Sequence, residues 1–516
     1  MSEELQENVT TGASTKVTTQ EKTAKEINSV QPNLLQGRRR ITMPYTAQEL
    51  TAQHILAYLP ELLANFEANV TESTRCVNYV KGVQDVLNKF RYAQRNKSNN
   101  IIVENHAYSM IDFKTSYMYG EPIKYSTADA SDCVGQDITL LNKYMRVQKK
   151  EAKDMLMGET LYSTGQAIRV VMPSQNGDRC PFEIYDLEAS EGFIVYSSKF
   201  KKEKLFGAIY SKDITDGSSE IICYTAKKIY TFSNKAGGYV LAETKDNPIG
   251  IVNFAHYRTN GLYMGVVDIV KPILDAINMT SSNSMDNIVD FVNSLLAVYN
   301  MDMTVDQKRA IDEMNAIILR TTDPNRPADA KYIVNSLDHQ QISIFYENLL
   351  KIAYDLVGVP RSSTNVTSGG DTGQARLLGG GWSKAKQVAK REEKPLVEAE
   401  LDMLDIVLAI CRKHKDSKIK NLYPEDLNIT FNRVAYENIQ TSIQALSQLY
   451  AMNMPKEIAL KIVGVVPDCH EVAEAWETYD SEQKESEELR ISSQFDEEIN
   501  EDKENSTDTD TNVKDK

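Results

Sequence analysis

At Gln166 the spacing of apolar residues changes from a 3.6-residue to a two-residue period, and the new period holds for about 80 residues. The segments AIRVVM, FEIYDL, GFIVYSS, LFGAIYSKDI, SEIICYTAKKIYTF and YVLAET alternate or are rich in β-branched residues. Turn signals separate them at Asn176-Gly177, Asp216-Gly217 and Gly237-Gly238. The pattern predicts an antiparallel β region ending near Pro248. Helical spacing flanks it on both sides, so the chain belongs to the α+β class and is mostly helical. Its 516 residues exceed what one ordinary core holds, which predicts two or more lobes.

On the N-terminal side, residues 1–45 are polar and predict a disordered arm, with Gly37 to Arg40 (GRRR) as a solvated basic cluster or, as the alternative, a contact to nucleic acid. Helical patterns follow from Thr46, where Pro60 predicts a break, and from Thr71 to about Phe90. A third runs from Asn105 until Gly120 and Pro122 stop it, and a fourth from about Gln136 to Ser163.

On the C-terminal side, a helical pattern covers 261–299, with Val266, Val270, Ile273, Ile277, Met285, Ile288, Val292 and Leu295 as its apolar stripe. Unbroken, it would reach on the order of 50 Å, although Met279 to Ser284 (MTSSNS) are weak helix formers that predict a kink. Asp268, Asp275, Asp286 and Asp290 gather on the other side. That row reads as a solvated face or as the lining of something electronegative. Residues 300–336 form a compact insert with a strand at Ala316 to Leu319 and another at KYIV, and 337–357 form a second helix antiparallel to the first. A polar loop then precedes a long helix within 373–416, with a kink expected at Pro395. A strand and a helical pair occupy 417–476, and the acidic residues 477–516 predict a disordered tail.

The formal charge of -15 is mostly that tail, because residues 471–516 hold 17 acidic against 5 basic side chains. The body is near neutral, which argues against a tight grip on nucleic acid through many phosphate contacts but not against a surface that lets a polyanion pass. Cys76, Cys133, Cys180, Cys223, Cys411 and Cys469 lack pairing spacings and read as free thiols. No apolar run approaches 18 residues and the first residues are polar, so neither a membrane span nor a signal peptide is expected.

Chemistry has little to rest on. The Gly-rich stretch Gly358 to Trp382 tempts as a phosphate cradle, but Gln374 and Ala375 follow Gly373, and Trp382 follows Gly381. A phosphate-binding loop needs Lys and then Ser or Thr there, and a strand before it. The histidines never recur at ligand spacing, and Cys411/His414 and Cys469/His470 are lone pairs where zinc needs about four ligands. No catalytic residue, metal or cofactor is predicted.

The order of parts resembles the portal (head–tail connector) proteins of tailed double-stranded DNA phages. The likeness rests on Tyr117-Met-Tyr-Gly-Glu-Pro-Ile-Lys-Tyr125, on IVKPILDAINMTSSNSMDNIVDF, on the polar loop ending in SGGDTGQAR, and on LNITFNR with ALSQLYAMNMPKEIALKIVGVVPDCHEVAEAW. The resemblance implies a ring, usually a dodecamer, at one capsid vertex. Such a ring nucleates head assembly with scaffold and major capsid proteins, docks the terminase large subunit and then an adaptor, and passes double-stranded DNA. It also implies a mapping: 46–260 the wing, 261–299 and 337–357 the stem helices, 300–336 the clip, 358–372 the tunnel loop, 373–416 a kinked wing helix and 417–476 the crown. Arg361, Ser362, Ser363, Thr364, Asn365, Thr367, Ser368, Gly369, Gly370 and Asp371 would face DNA. Arg320, Thr322, Asp323, Asn325 and Arg326 would meet partners at the clip, and the Asp row would make the bore electronegative. A nucleotide-binding enzyme using the Gly-rich loop, or a structural ring without DNA passage, are the alternatives.

Overall fold

The computed structural model of the chain describes residues 38–89, 99–127, 132–174, 179–213, 217–234, 238–292, 295–299, 329–333, 339–361, 381–415, 417–433, 439–452, 454–463, 472–473, 475–484 and 486. They fall into two compact units, one of residues 1–367 and 378–433, the other of 368–377 and 434–516.

In the first unit, strand β1 (Ile41–Met43) is followed by helix α1 (Ala52–Val80), helix α2 (His106–Tyr119) and strand β2 (Lys124–Thr127). Helices α3 (Asp132–Val147) and α4 (Lys150–Thr164) come next, parted where Lys149 takes a φ of 53°. The β region is β3 (Gln166–Pro173), β4 (Phe182–Leu187), β5 (Gly192–Ser197), β6 (Lys204–Lys212), β7 (Ser219–Thr225), β8 (Lys228–Asn234), β9 (Tyr239–Asp246) and β10 (Phe254–Arg258). Then follow α5 (Val266–Val292), β11 (Leu295–Tyr299), β12 (Asp329–Ile333), α6 (His339–Val357), α7 (Trp382–Lys413) and β13 (Leu427–Thr430).

The strands make a six-stranded sheet in the order β1-β5-β6-β7-β8-β9, a three-stranded sheet β10-β3-β4, and the pairs β11-β12 and β13-β2. All ladders are antiparallel except β1 on β5. That exception corrects the expected arm: from Arg38 onward the segment is part of the fold, because Ile41 and Met43 alternate inward onto the sheet.

Helix α1 packs Ile55, Leu59, Leu62 and Phe66, spaced three or four apart, onto Phe193, Val195, Phe206 and Phe232. Each such buried side chain contributes about 1.5–3 kcal/mol. The break expected at Pro60 does not occur, and α5 runs unbroken through Pro272 and through Met279–Ser284. Pro60 and Pro272 are exposed, so the carbonyl each proline deprives of a partner can face water. The two sheets meet through Val170, Ile194, Tyr196, Val252 and Phe254. Phe254 lies so close over Gly207 that a Cβ there would come within 2.1 Å of its ring. A larger helical core joins α2, α4, α5, α6 and α7 beneath the small sheet.

In the second unit, α8 (Ile439–Ala451) and α9 (Lys456–Val463) are joined by a further helical stretch at 475–484. Tyr450 meets Trp476 at 5.0 Å between ring centroids, and Lys456 pairs with Asp480. Residues 477–484 are therefore helical rather than tail, another correction to the reading from composition.

Candidate functional site

Helices α5 and α6 run antiparallel. Val266 and Ile269, early in α5, lie beside Leu356 and Val357 at the end of α6, while Thr280, Asn283 and Asn287 flank Gln341, Ile342 and Phe345 near its start. The helical pattern stops at Val292. Residues 295–299 instead pair with 329–333, from Leu295↔Ile333 to Tyr299↔Asp329, which corrects the expected helix end. The antiparallel pair thus carries a small two-stranded ladder where its helices lead into residues 300–328. Those residues, with Arg320, Thr322, Asp323, Asn325, Arg326 and the strand expected at Ala316 to Leu319, lie outside the described residues.

The base of the pair is apolar: Val266, Val267, Val270, Leu274 and Ile277 on α5 share a core with Leu350, Ala353 and Val357 on α6. Beyond Ile277 the pattern inverts. The buried residues of α5 from 278 to 289 are Asn278, Ser282 and Asp286, all polar. Met285 and Ile288, expected on the buried stripe, are exposed, as are Met279 and, on α6, Ile344 and Phe345.

Two members of the acidic row, Asp268 and Asp286, are accordingly internal rather than solvated. Asp268 and Asp286 are 1 % and 0 % exposed. Asp268 pairs with Arg38 and accepts from the Gly265 N–H at 2.9 Å and the Cys76 thiol at 3.3 Å. Burial pushes that thiol up to about 11, so it remains a neutral donor. Asp275 accepts from the Tyr79 hydroxyl at 2.8 Å and pairs with Lys271 at 2.7 Å. Asp286 accepts from the Asn100 N–H at 2.6 Å and pairs with Lys89 at 2.7 Å. Burial alone would raise the Asp286 carboxyl, but Asn100 and Lys89 outweigh it and hold it below its ordinary value. The side chain of Asp290 lies outside the described residues. A charge row on a helix is free only if nothing else packs there; here α1 and the segment around residue 100 do.

That segment supplies partners that periodicity did not reveal. The Ile102 N–H donates to Ser282 Oγ at 3.0 Å and the Glu104 N–H to Asn278 Oδ1 at 2.8 Å. The Glu104 carboxylate accepts from Ser281 of α5 and Tyr346 of α6, and lies 3.0 Å from His106 Nε2. Burial pushes this carboxyl up, yet those hydroxyls and the imidazole bring it below its ordinary value.

The polar loop springs from a built neck. Gly358 and Gly381 take φ of 70° and 83°, a region glycine reaches without strain, and Gly381 approaches Pro360 closely. The two ends of the stretch 362–380 are thereby brought together. Arg361 pairs with Glu347 of α6 at 2.6 Å. Trp382 packs edge-on against Phe113 and Tyr117, the first residue of the Tyr117–Tyr125 element, at centroid distances of 5.7 and 6.2 Å. Tyr125, its last residue, donates to the buried carboxylate of Glu400. Ser362, Ser363, Thr364, Asn365, Thr367, Ser368, Gly369, Gly370 and Asp371 lie outside the described residues.

The densest cluster of charges is internal. Glu400 pairs with Lys150 at 2.7 Å and accepts from Tyr257 at 2.6 Å, Lys150 pairs with Asp154, and Asp154 with Arg169, which also holds Asp186. Burial pushes the Glu400 carboxyl up, but Lys150 and Arg169 outweigh it and keep the group ionised. Each member is bridged by another, so the cluster cements α4, α7 and the small sheet. Among the described residues no group of three or more His, Cys, Asp or Glu could hold a metal ion.

The sequence pattern of the family described as "Phage portal protein, SPP1 Gp6-like" matches residues 60–486. Among solved structures, a chain of the "Neck of empty GTA particle computed with C6 symmetry" is similar at 11% identity and a TM-score of 0.43, over 71% of this chain and 91% of that one. No curated protein matches.

Proposed function

The chain belongs to the SPP1 Gp6-like phage portal protein family, and from that membership we propose that it is a structural, non-catalytic subunit of a ring at the portal vertex of a phage head. In this reading α5 and α6 are the stem, the ladder β11-β12 opens into the clip, and the stretch from Arg361 to Asp371 is a loop aimed into the channel. The ring nucleates head assembly, receives the terminase large subunit and later an adaptor at residues 300–336, and lets double-stranded DNA pass in and out.

One observation carries the reading. The distal stem exposes Met279, Met285 and Ile288 on α5 and Ile344 and Phe345 on α6 while burying polar side chains. A helix pair that shows apolar residues to solvent is built to be covered, and in a closed ring of identical subunits the neighbouring copy covers it. The near-neutral body suits passage of DNA, since few neutralised phosphates mean little affinity from released counterions. The bore does not take its charge from Asp268 or Asp286, which are buried.

Negative-stain microscopy of the purified full-length protein tests this. Rings of about twelve subunits with an axial hole as wide as a duplex are expected, and Met285→Asp with Ile288→Asp should leave single subunits. Monomeric wild-type protein at micromolar concentration would overturn the reading.

A further inference from the structure

We propose that residues 99–105 form a releasable latch for the distal half of the α5–α6 pair, which pivots at Ile277 and Leu350. The latch is made of contacts within one chain, and where a neighbouring copy covers Met285 and Ile288 its release also requires those residues to be uncovered.

Three rungs make the latch. The N–H groups of Asn100, Ile102 and Glu104, every second residue of an extended segment, donate to Asp286, Ser282 and Asn278, every fourth residue of a helix. Two extended residues advance about 6.6 Å and four helical residues about 6.0 Å. The two periods therefore stay in step over three rungs, with the segment antiparallel to α5. Lys89 closes the far end by bridging Asp286 and the Asn100 carbonyl, at 2.7 and 3.2 Å. Gln84 closes the near end, accepting from Asn278 and donating to Asn105 at 3.2 Å. Glu104 touches both helices, through Ser281 and Tyr346, so the latch holds them as a unit.

Such an attachment differs in kind from the one below it. Past Ile277 no apolar residue of α5 up to 289 is buried, and of residues 341–349 of α6 none is buried, Tyr346 and Leu349 packing against the core only in part. Hydrogen bonds are directional and fix one register, but water can replace them when they open. The apolar base at Val270, Leu274, Ile277, Leu350 and Ala353 has no such substitute. The distal half can therefore leave and return while the base stays packed, a local opening below the global one.

Hydrogen–deuterium exchange on the full-length protein tests the proposal with Asn278→Ala/Ser282→Ala. Amides of 279–292 and 340–349 should exchange about tenfold faster than in the wild type, with those of β3 and β5 unchanged. Ser282→Thr, which keeps the hydroxyl, should retain wild-type protection. Unchanged exchange in the double variant would overturn the latch. So would acceleration spreading through β3 and β5, which would make these rungs part of the global fold, or Ser282→Thr behaving like the alanine.

Discussion

Arg38 and Asp268 form an ion pair in which neither side chain is reached by solvent. It ties the first described residue of the chain to the first turn of α5, where a carboxylate also meets the positive end of the helix dipole. The guanidinium further donates to the Glu72 carbonyl at 2.9 Å and Ser73 Oγ at 3.3 Å, so its fork is filled. Taking one partner away strands the other charge in a dry site. Asp268→Ala should cost about 3–5 kcal/mol in urea unfolding. Arg38→Met with Asp268→Leu should recover most of that loss, because no buried charge is then left alone. If Asp268→Ala unfolds at the wild-type urea midpoint, the pair does not hold the N-terminal strand.

The contact between the two sheets depends on an absent side chain. A Cβ on Gly207 would sit 2.1 Å from the Phe254 ring, which must then move out of the cluster it shares with Val170 and Ile194. Gly207→Ala should destabilise by about 1–3 kcal/mol, as overpacking does. Phe254→Leu should be less costly in that background than in the wild type, and thermal unfolding of the four proteins measures the coupling.

His256 makes stability depend on pH in the mildly acidic range. Its ring lies 2.9 Å from the Tyr196 hydroxyl and stacks on Tyr263. Burial, with Lys204, Arg40 and Arg258 nearby, pushes it down from 6.5 to about 3. Below pH 6.5 the unfolded chain takes up a proton that the folded chain refuses, so the fold loses stability as pH falls toward 3. The loss is about 1.4 kcal/mol per pH unit for this group. His256→Gln should flatten the profile between pH 6.5 and 4.5, and parallel profiles for the two proteins would show that this ring does not titrate on unfolding.

Strands β3 to β9 lie where alternation predicts them, since a sheet with one face buried writes its period directly into the chain, whereas β10 lies beyond the end expected near Pro248. What escaped the sequence was whatever depended on a distant partner. Residues 38–43 look like the end of a polar arm until the parallel pairing of Ile41 with Val195 is seen. Pro60 reads as a stop because a proline says nothing about which face it occupies. The acidic composition after Trp476 hides Tyr450 and Lys456, which hold that stretch helical. The Asp row misled because amphipathic reasoning assigns water to the polar face. The usable clue was Asn278, Ser282 and Asp286 at intervals of four, opposite a segment around Ile101 to Val103 without helical spacing. The left-handed glycines Gly358 and Gly381, which flank the polar stretch, were not legible in the sequence.

Asp286 separates an internal role for the acidic row from a channel-lining one. Were it a surface charge facing DNA, Asp286→Lys would leave the fold intact and alter only passage of the duplex. As found, the substitution puts a second ammonium against Lys89 and removes the acceptor for the Asn100 N–H. Asp286→Asn is the milder probe, and should cost about 1.5–3 kcal/mol, the worth of hydrogen bonds to a charged group. Because the folded carboxyl lies below its ordinary value of 3.8, its contribution is complete above that pH and is lost as pH falls through the lower, folded value. Wild type and Asp286→Asn should therefore differ in urea midpoint at pH 7 and converge as the pH drops below 3.8. Equal stability at pH 7 would return Asp286 to the surface.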